Sequence, residues 1–193
     1  ALLPDVQRIA AAGRHLLSLI NNILDLSKIE AGEMEIVRER VELASLLEDT
    51  VDTAQPLADR NRNKLELNVE TRVAAFESDR TRILQILLNL VGNACKFTEN
   101  GIVAIDVRDG DGQRLELRVR DNGPGIAPER IGHLFEPFSQ LESTRKGEGT
   151  GLGLTISRHL CQLLGGTINV ESHLGEGTVF SITIPLSHAE INP

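Results

Sequence analysis

The chain has no Trp, no Tyr and only five Phe among 193 residues. Its core must therefore be aliphatic, and a platform on which nucleic-acid bases stack is not expected. It also lacks a basic surplus. A net charge of -8 repels a phosphate backbone, so no nucleic-acid partner is expected. Smaller anions stay open, because a local site can bind one within an acidic protein. The only cysteines are Cys95 and Cys161, each inside helix-like apolar spacing and neither in a CxxC pair. Two reduced, buried thiols in a cytoplasmic setting are the expectation. No run reaches the ~18 apolar residues of a membrane span, and no signal peptide is visible. No membrane contact is expected within this chain, while a parent protein anchored through an upstream region stays compatible. An initiator Met is missing too, and "ALLPDVQ" reads as entry into the middle of a longer protein.

What is present is ordinary for a globular chain: 40% hydrophobic and 25% charged residues, with length for one or two domains. From Pro4 to Gly32, apolar residues recur at three- and four-residue steps: Val6, Ile9, Leu16, Ile20 and Ile23, widened by Leu17 and Leu24. That spacing predicts one long amphipathic helix whose stripe requires a partner helix. The pattern then changes. "EMEIVRERV" and "KLELNVE" alternate as strands around the helix "ELASLLEDTVDTAQPLADRNR", with Pro56 as a possible bend. A Ser/Asp cap opens the helix "SDRTRILQILLNLVGNACKFT". Two strands flank Asp109-Gly110-Asp111-Gly112, a hairpin signal. A Gly/Pro loop, a weakly patterned stretch, the helix "TGLGLTISRHLCQLLGG" and the strands "TINVES" and "GTVFSITIPL" complete the order. Helices interleaved with strands and hairpins predict an α+β fold, an α/β two-layer sandwich with a mixed sheet. The expected division is a long helix over 1–32, a second domain over 33–188 and a tail over 189–193.

Three constellations carry chemistry. In "NLVGNACK", Asn89, Asn93 and Lys96 fall on one face of one helix. Asn is a poor helix former, so two of them are either a solvated polar face or a site. An amide oxygen suits Mg²⁺ that keeps its waters and binds phosphate, and Lys96 supplies a point charge. In "RVRDNGPGIA", a strand delivers Asp121 to its end before a turn at Gly123 and Gly125. This is either a plain turn or a carboxylate that accepts an exocyclic amine, with glycines that let a flat ring approach.

The third is "RKGEGTGLGLTIS", with Gly147, Gly149, Gly151 and Gly153 leading into a helix behind Arg145 and Lys146. Backbone N–H groups converging at a helix start favour an anion, so the stretch is a phosphate cradle or a hinge. It is neither a Walker A sequence nor a dinucleotide GxGxxG. Phe135 and Phe138 in the weakly patterned stretch either pin a loop or pack in the core. "HLGEGTVF" reads as a hairpin turn before Thr178.

Together these residues resemble the ATP-binding domain of sensor histidine kinases, in the superfamily shared with gyrase and mismatch-repair ATPases. "NLVGNACKFT" resembles the N box, "DNGPGI" the G1 box, "FEPF" the F box, "GEGTGLGL" the G2 box and "GEGT" the last Gly motif, in order over Glu33 to Leu186. "LLSLINNILDLSKIEAG" is similar to the second helix of the dimerisation and phosphotransfer domain.

The resemblance implies a Bergerat-type fold with helices on one face of a mixed sheet, and ATP and Mg²⁺ as cofactors. It implies that Asp121 binds the adenine amine and that Asn93, with Asn89, holds Mg²⁺. Lys96, Arg145 and Lys146 would meet the phosphates, with Asn89, Lys96 and Arg145 nearest the chemistry. Gly123, Gly125, Ile126, Gly149, Thr150, Gly151, Leu152, Gly153 and Thr178 would shape the pocket. A homodimer through the long helix in the full-length protein and a response-regulator receiver domain are the implied partners.

Two departures stand out. No His-Glu-x-x-x-Pro-like context occurs, and His15, His133, His159, His173 and His188 lie elsewhere in the pattern, so the phosphoacceptor is expected outside this chain. The isolated chain is then expected to be inactive in autophosphorylation. Glu148 also puts a carboxylate in the phosphate loop, where it should point to solvent. Asn89 stands where hydrolytic relatives carry a Glu base. An amide accepts no proton, which favours phosphoryl transfer over hydrolysis. The leading expectation is a protein-histidine kinase module. A nucleotide-gated regulatory module and an anti-sigma-type serine kinase are the alternatives, and the long helix disfavours the latter.

Overall fold

The structure, a computed structural model, describes residues 2–139 and 151–191. Helix α1 (Leu2–Glu30) ends at Gly32, whose φ of 70° reverses the chain. Val6, Leu16, Leu17, Ile20, Ile23 and Leu24 of α1 are exposed, while Leu26 and Ile29 pack against the core that follows. Among the described side chains of this stripe, those at the C-terminal end of α1 pack against the core.

The strand expected at Glu33–Val41 shrinks to β1 (Glu39–Glu42). Met34 and Ile36 do point inward, and the Val37 N–H donates to Asp79 Oδ2 at 3.0 Å. The alternation therefore reflects burial, but this segment is not paired into either sheet. After α2 (Leu43–Arg60), which carries Pro56 internally, come β2 (Lys64–Glu70) and β3 (Val73–Ser78). Strand β3 has no counterpart in the sequence reading, because "VAAFES" is too short and too uniformly apolar to alternate.

Helix α3 (Arg80–Phe97) is capped by Asp79, whose Oδ1 accepts from the Arg82 N–H at 3.0 Å. Its buried stripe is Ile83, Ile86, Leu87, Leu90, Val91, Ala94 and Cys95. Each of the larger aliphatic side chains in it contributes about 1.5–3 kcal/mol of burial. The hairpin β4 (Ile102–Gly110) and β5 (Arg114–Asp121) follows, then the short α4 (Pro128–Ile131) and α5 (Gly153–Leu163). The chain closes with β6 (Thr167–His173), β7 (Gly177–Pro185) and β8 (Ser187–Ile191). Residues expected to form a tail thus begin inside a strand.

Five strands form the main sheet in the order β2-β4-β5-β7-β6, with β2 and β4 parallel and the other pairs antiparallel. A smaller antiparallel sheet runs β1-β3-β8. Helices α2, α3 and α5 cover the main sheet face bearing Val103, Ile105, Leu115, Leu117, Val119, Phe180, Ile182 and Ile184. The other face carries charge pairs such as Arg108–Glu116 and Arg120–Asp106. This is the α+β two-layer arrangement that the sequence predicts. Because side chains alternate along a strand, Val119 and Asp121 share the helix-covered face. The end of β5 therefore delivers a carboxylate beneath α3.

Candidate nucleotide site

Asp121 ends β5 opposite Val103 of β4 and Thr178 of β7. The Gly123 N–H donates to its Oδ1 at 2.9 Å. Burial pushes the carboxyl above its ordinary value, and the N–H groups of Gly123 and Thr178 and the Thr98 hydroxyl pull it back. The Cys95 thiol, pushed up to about 11 by burial and by the Asp121 charge, is neutral at physiological pH. Cys161 is likewise buried and its thiol is pushed up to about 12.

The turn after Asp121 is held from two sides. Asn122 Oδ1 accepts from the Ile102 N–H at 2.7 Å. The Ile126 N–H donates to Ser172 Oγ at 2.8 Å, and that hydroxyl donates to the Gly177 carbonyl at 2.9 Å. Gly125 has φ 67°, and a Cβ there would lie 2.0 Å from the His173 carbonyl oxygen. The space that the missing side chain leaves is filled by the protein's own β6 backbone, which agrees with the turn that the sequence reading held open beside approach of a ligand ring. Gly177 similarly lies against Asp121, where a Cβ would come within 2.0 Å of its carbonyl oxygen. The turn at Gly175 and Gly177 is therefore a buttress for the Asp121 strand end. Among the expected site residues, Ile126 and Thr178 are buried beside this turn.

Asn89, Asn93 and Lys96 lie on α3, but they face different surroundings. Asn89 turns to α5: its Nδ2 donates to Ser157 Oγ at 2.8 Å, and a Cβ on Gly153 would lie 2.2 Å from its Oδ1. Asn93 is half-buried one turn further on. Lys96 Nζ lies 5.0 Å from the Phe97 ring centroid. Among the described residues no three His, Cys, Asp or Glu side chains gather to cage a metal. A single amide oxygen at Asn93 fits Mg²⁺, which coordinates few protein groups and keeps oxygens of water and phosphate.

Helix α5 begins at Gly153, and the side chain of its N-cap, Leu152, makes no capping hydrogen bond. Gly151 (φ 70°) lies against the Phe138 and Ser139 backbone. Phe135 packs on the core, its carbonyl accepts from Thr155 Oγ1 at 3.0 Å, and Arg158 stands 5.6 Å from its ring. Phe138 is exposed. The two phenylalanines thus divide, one packed and one outward. Arg145, Lys146, Glu148, Gly149 and Thr150 lie outside the described residues, as does Gly147. Of the histidines, His133 pairs with Glu136 at 2.9 Å and His159 Nδ1 bonds the Thr155 carbonyl at 2.9 Å.

Several residues near the site carried no signal in the sequence. Asn63 is buried, and its Nδ2 donates to the carbonyls of Cys95 at 3.0 Å and Thr98 at 2.8 Å. Its Oδ1 accepts from the Gly101 N–H at 3.0 Å. With Asn61, which also donates to the Cys95 carbonyl at 2.8 Å, it closes the C-terminus of α3 beside Asp121. Asn61 falls in the last turn of the helix expected to end at Arg62, and Asn63 just beyond it, and neither position points to a role. Ser172 is equally silent, and Thr98 closes the "NLVGNACKFT" stretch without an assigned role.

A carboxylate at a sheet end, an amide-bearing helix above it and an uncapped helix start beyond are the parts of one ATP-binding fold. Residues 78–188 match the family described as histidine kinase-, DNA gyrase B- and HSP90-like ATPase. The chain belongs to this family. It is 40% identical, over 92% of its length, to hybrid signal transduction histidine kinase B of Dictyostelium discoideum, of which it covers 9%. It superposes on full-length ShkA in complex with AMPPNP with a TM-score of 0.86 at 33% identity, covering 98% of this chain and 40% of that one. It also resembles the histidine kinase ThkA in complex with the response regulator TrrA, with a TM-score of 0.73 at 25% identity, over 97% of this chain and 52% of ThkA. The chain thus spans only part of the histidine kinases it matches. It carries their ATPase-type catalytic domain. Among the described residues no helix is long and apolar enough to cross a membrane.

Proposed function

We propose that this chain binds Mg·ATP and presents its γ-phosphoryl group to a histidine on a helix outside residues 1–193, for relay to a receiver-domain aspartate. The observation that carries the reading is the Asp121 carboxylate, half-buried at the β5 end and backed by Gly123 and Thr178. A desolvated carboxylate gains by accepting an amine N–H, and the adenine amino group supplies one. Asn93 would hold Mg²⁺, with Lys96 and the start of α5 toward the phosphates. The ion would supply charge neutralisation to the phosphate groups. Asn89 contributes no base, which suits transfer to an imidazole that attacks with its own lone pair. Arg145, Lys146, Gly149 and Thr150 complete the phosphate end.

The exposed α1 residues Leu16, Leu17, Ile20, Ile23 and Leu24 favour a homodimer through this helix in the full-length protein. The division into a helix over 1–32 and a catalytic domain over 33–188 follows from the same contrast. The response regulator bound to ThkA supports a receiver-domain partner, and two buried free thiols agree with a cytoplasmic site of action.

The test is calorimetry with ADP and Mg²⁺, followed by mixing with ATP and a separate chain that carries the acceptor helix. Labelled phosphate on that chain's histidine supports the kinase. Binding without labelling leaves a nucleotide-gated module, and no heat from folded protein ends both readings.

A further inference from the structure

Thr98, the residue that caps the C-terminus of α3, is 1% exposed. Its Oγ1 is buried with no hydrogen-bond partner among the described residues. Buried hydroxyls are nearly always paired, so an unpaired one beside a ligand site calls for a cause. Its orientation is set by packing. A Cβ at Gly101 would lie 2.5 Å from the Thr98 methyl, and a Cβ at Gly123 would lie 2.7 Å from the hydroxyl and 2.9 Å from Asp121 Oδ1. The methyl thus rests on Gly101, while the hydroxyl converges with the Asp121 carboxylate on the turn at Gly123. The hydroxyl helps to hold the Asp121 carboxyl down, though the two do not meet as a full hydrogen bond. Asn63 holds the Thr98 carbonyl at 2.8 Å and so keeps the residue in place.

Proton counting singles out the same group. Ser172 has one hydroxyl proton, and it goes to the Gly177 carbonyl. The 2.9 Å contact between Ser172 Oγ and Thr178 Oγ1 must then be donated by Thr178. Thr178 has no proton left for a ligand. Thr98 keeps its own.

The edge of adenine offers an amine donor at N6 beside an acceptor at N1. A carboxylate can take the first and cannot serve the second. We propose that Thr98 is a base-reading residue, donating its hydroxyl proton to adenine N1 while Asp121 accepts from N6. This rests on the ATP-binding reading above and deepens it.

The test compares ADP with 1-deaza-ADP, which lacks N1, on the wild-type chain, Thr98→Val and Thr98→Ser. Thr98→Val should weaken ADP binding about tenfold, the usual scale of one hydrogen bond. Thr98→Ser should stay within about threefold of the wild type. The wild type and Thr98→Val should bind 1-deaza-ADP equally. Nucleotide-free Thr98→Val should melt close to the wild type, because losing a buried hydroxyl without a full partner offsets its help to the Asp121 charge. Unchanged ADP affinity in Thr98→Val, or an equal loss for both nucleotides, overturns the role of Thr98 and leaves ATP binding standing. A wild-type chain that binds neither nucleotide overturns both.

Discussion

Asn89 on α3 and Ser157 on α5 share a 2.8 Å hydrogen bond, and Ser157 is buried. Through its Nδ2, the amide that the sequence offers for Mg²⁺ or catalysis ties the amide-bearing helix to the helix that begins at the glycine-rich stretch. We expect Asn89→Ala and Ser157→Ala each to cost about 1 kcal/mol of stability. The double variant should cost less than the sum by about the same amount. Urea unfolding measures all three, and strictly additive costs would refute the coupling.

Replacing Asp121 with Asn removes a charge held in a desolvated place. The nucleotide-free variant should unfold at a temperature no lower than the wild type at pH 7, while the rise in melting temperature caused by ADP disappears. A preserved ADP shift would remove Asp121 from base recognition.

The Asp121 carboxyl lies above its unfolded value because of burial. Its ionisation therefore works against the nucleotide-free fold. Relative to Asp121→Asn, the wild type should be at its best below the ordinary carboxylate value of about 3.9, losing ground as pH rises through the raised one. ADP needs the ionised form, so its affinity should weaken on acidification at a pH higher than an ordinary carboxylate would set. Calorimetry of ADP from neutral to acidic pH, beside unfolding of both proteins over that range, reads the two slopes. A flat affinity profile contradicts the assignment.

Asn93→Ala should lower affinity for Mg·ADP by about tenfold, while leaving metal-free ADP binding nearly intact. The comparison is one titration with Mg²⁺ and one with a chelator. An equal drop in both would mean that Asn93 supports the fold or the base and holds no metal.

Much of this was legible from local pattern. The period of α3 and the alternation of β5 already placed Asn93 on one surface and Asp121 at a strand end. The strand β3 was not legible, since a short apolar run has no period to distinguish it. Nor was β8, whose pairing with β3 joins residues more than a hundred positions apart. Asn63 looked like any loop asparagine, because its three partners all come from chain brought beside it by folding.

The order of amide-bearing helix, Asp-Asn-Gly turn and glycine-rich helix start was written in the sequence alone. Each is a local motif whose backbone needs depend on immediate neighbours. Tertiary structure alone decided how those parts were spent. Asn89 Nδ2 met Ser157 of α5, Gly125 packed against β6, and the hydroxyls of Ser172 and Thr178 met each other. A hydrogen bond's partner is chosen by proximity after packing, and packing joins segments whose separation along the chain carries no local signal.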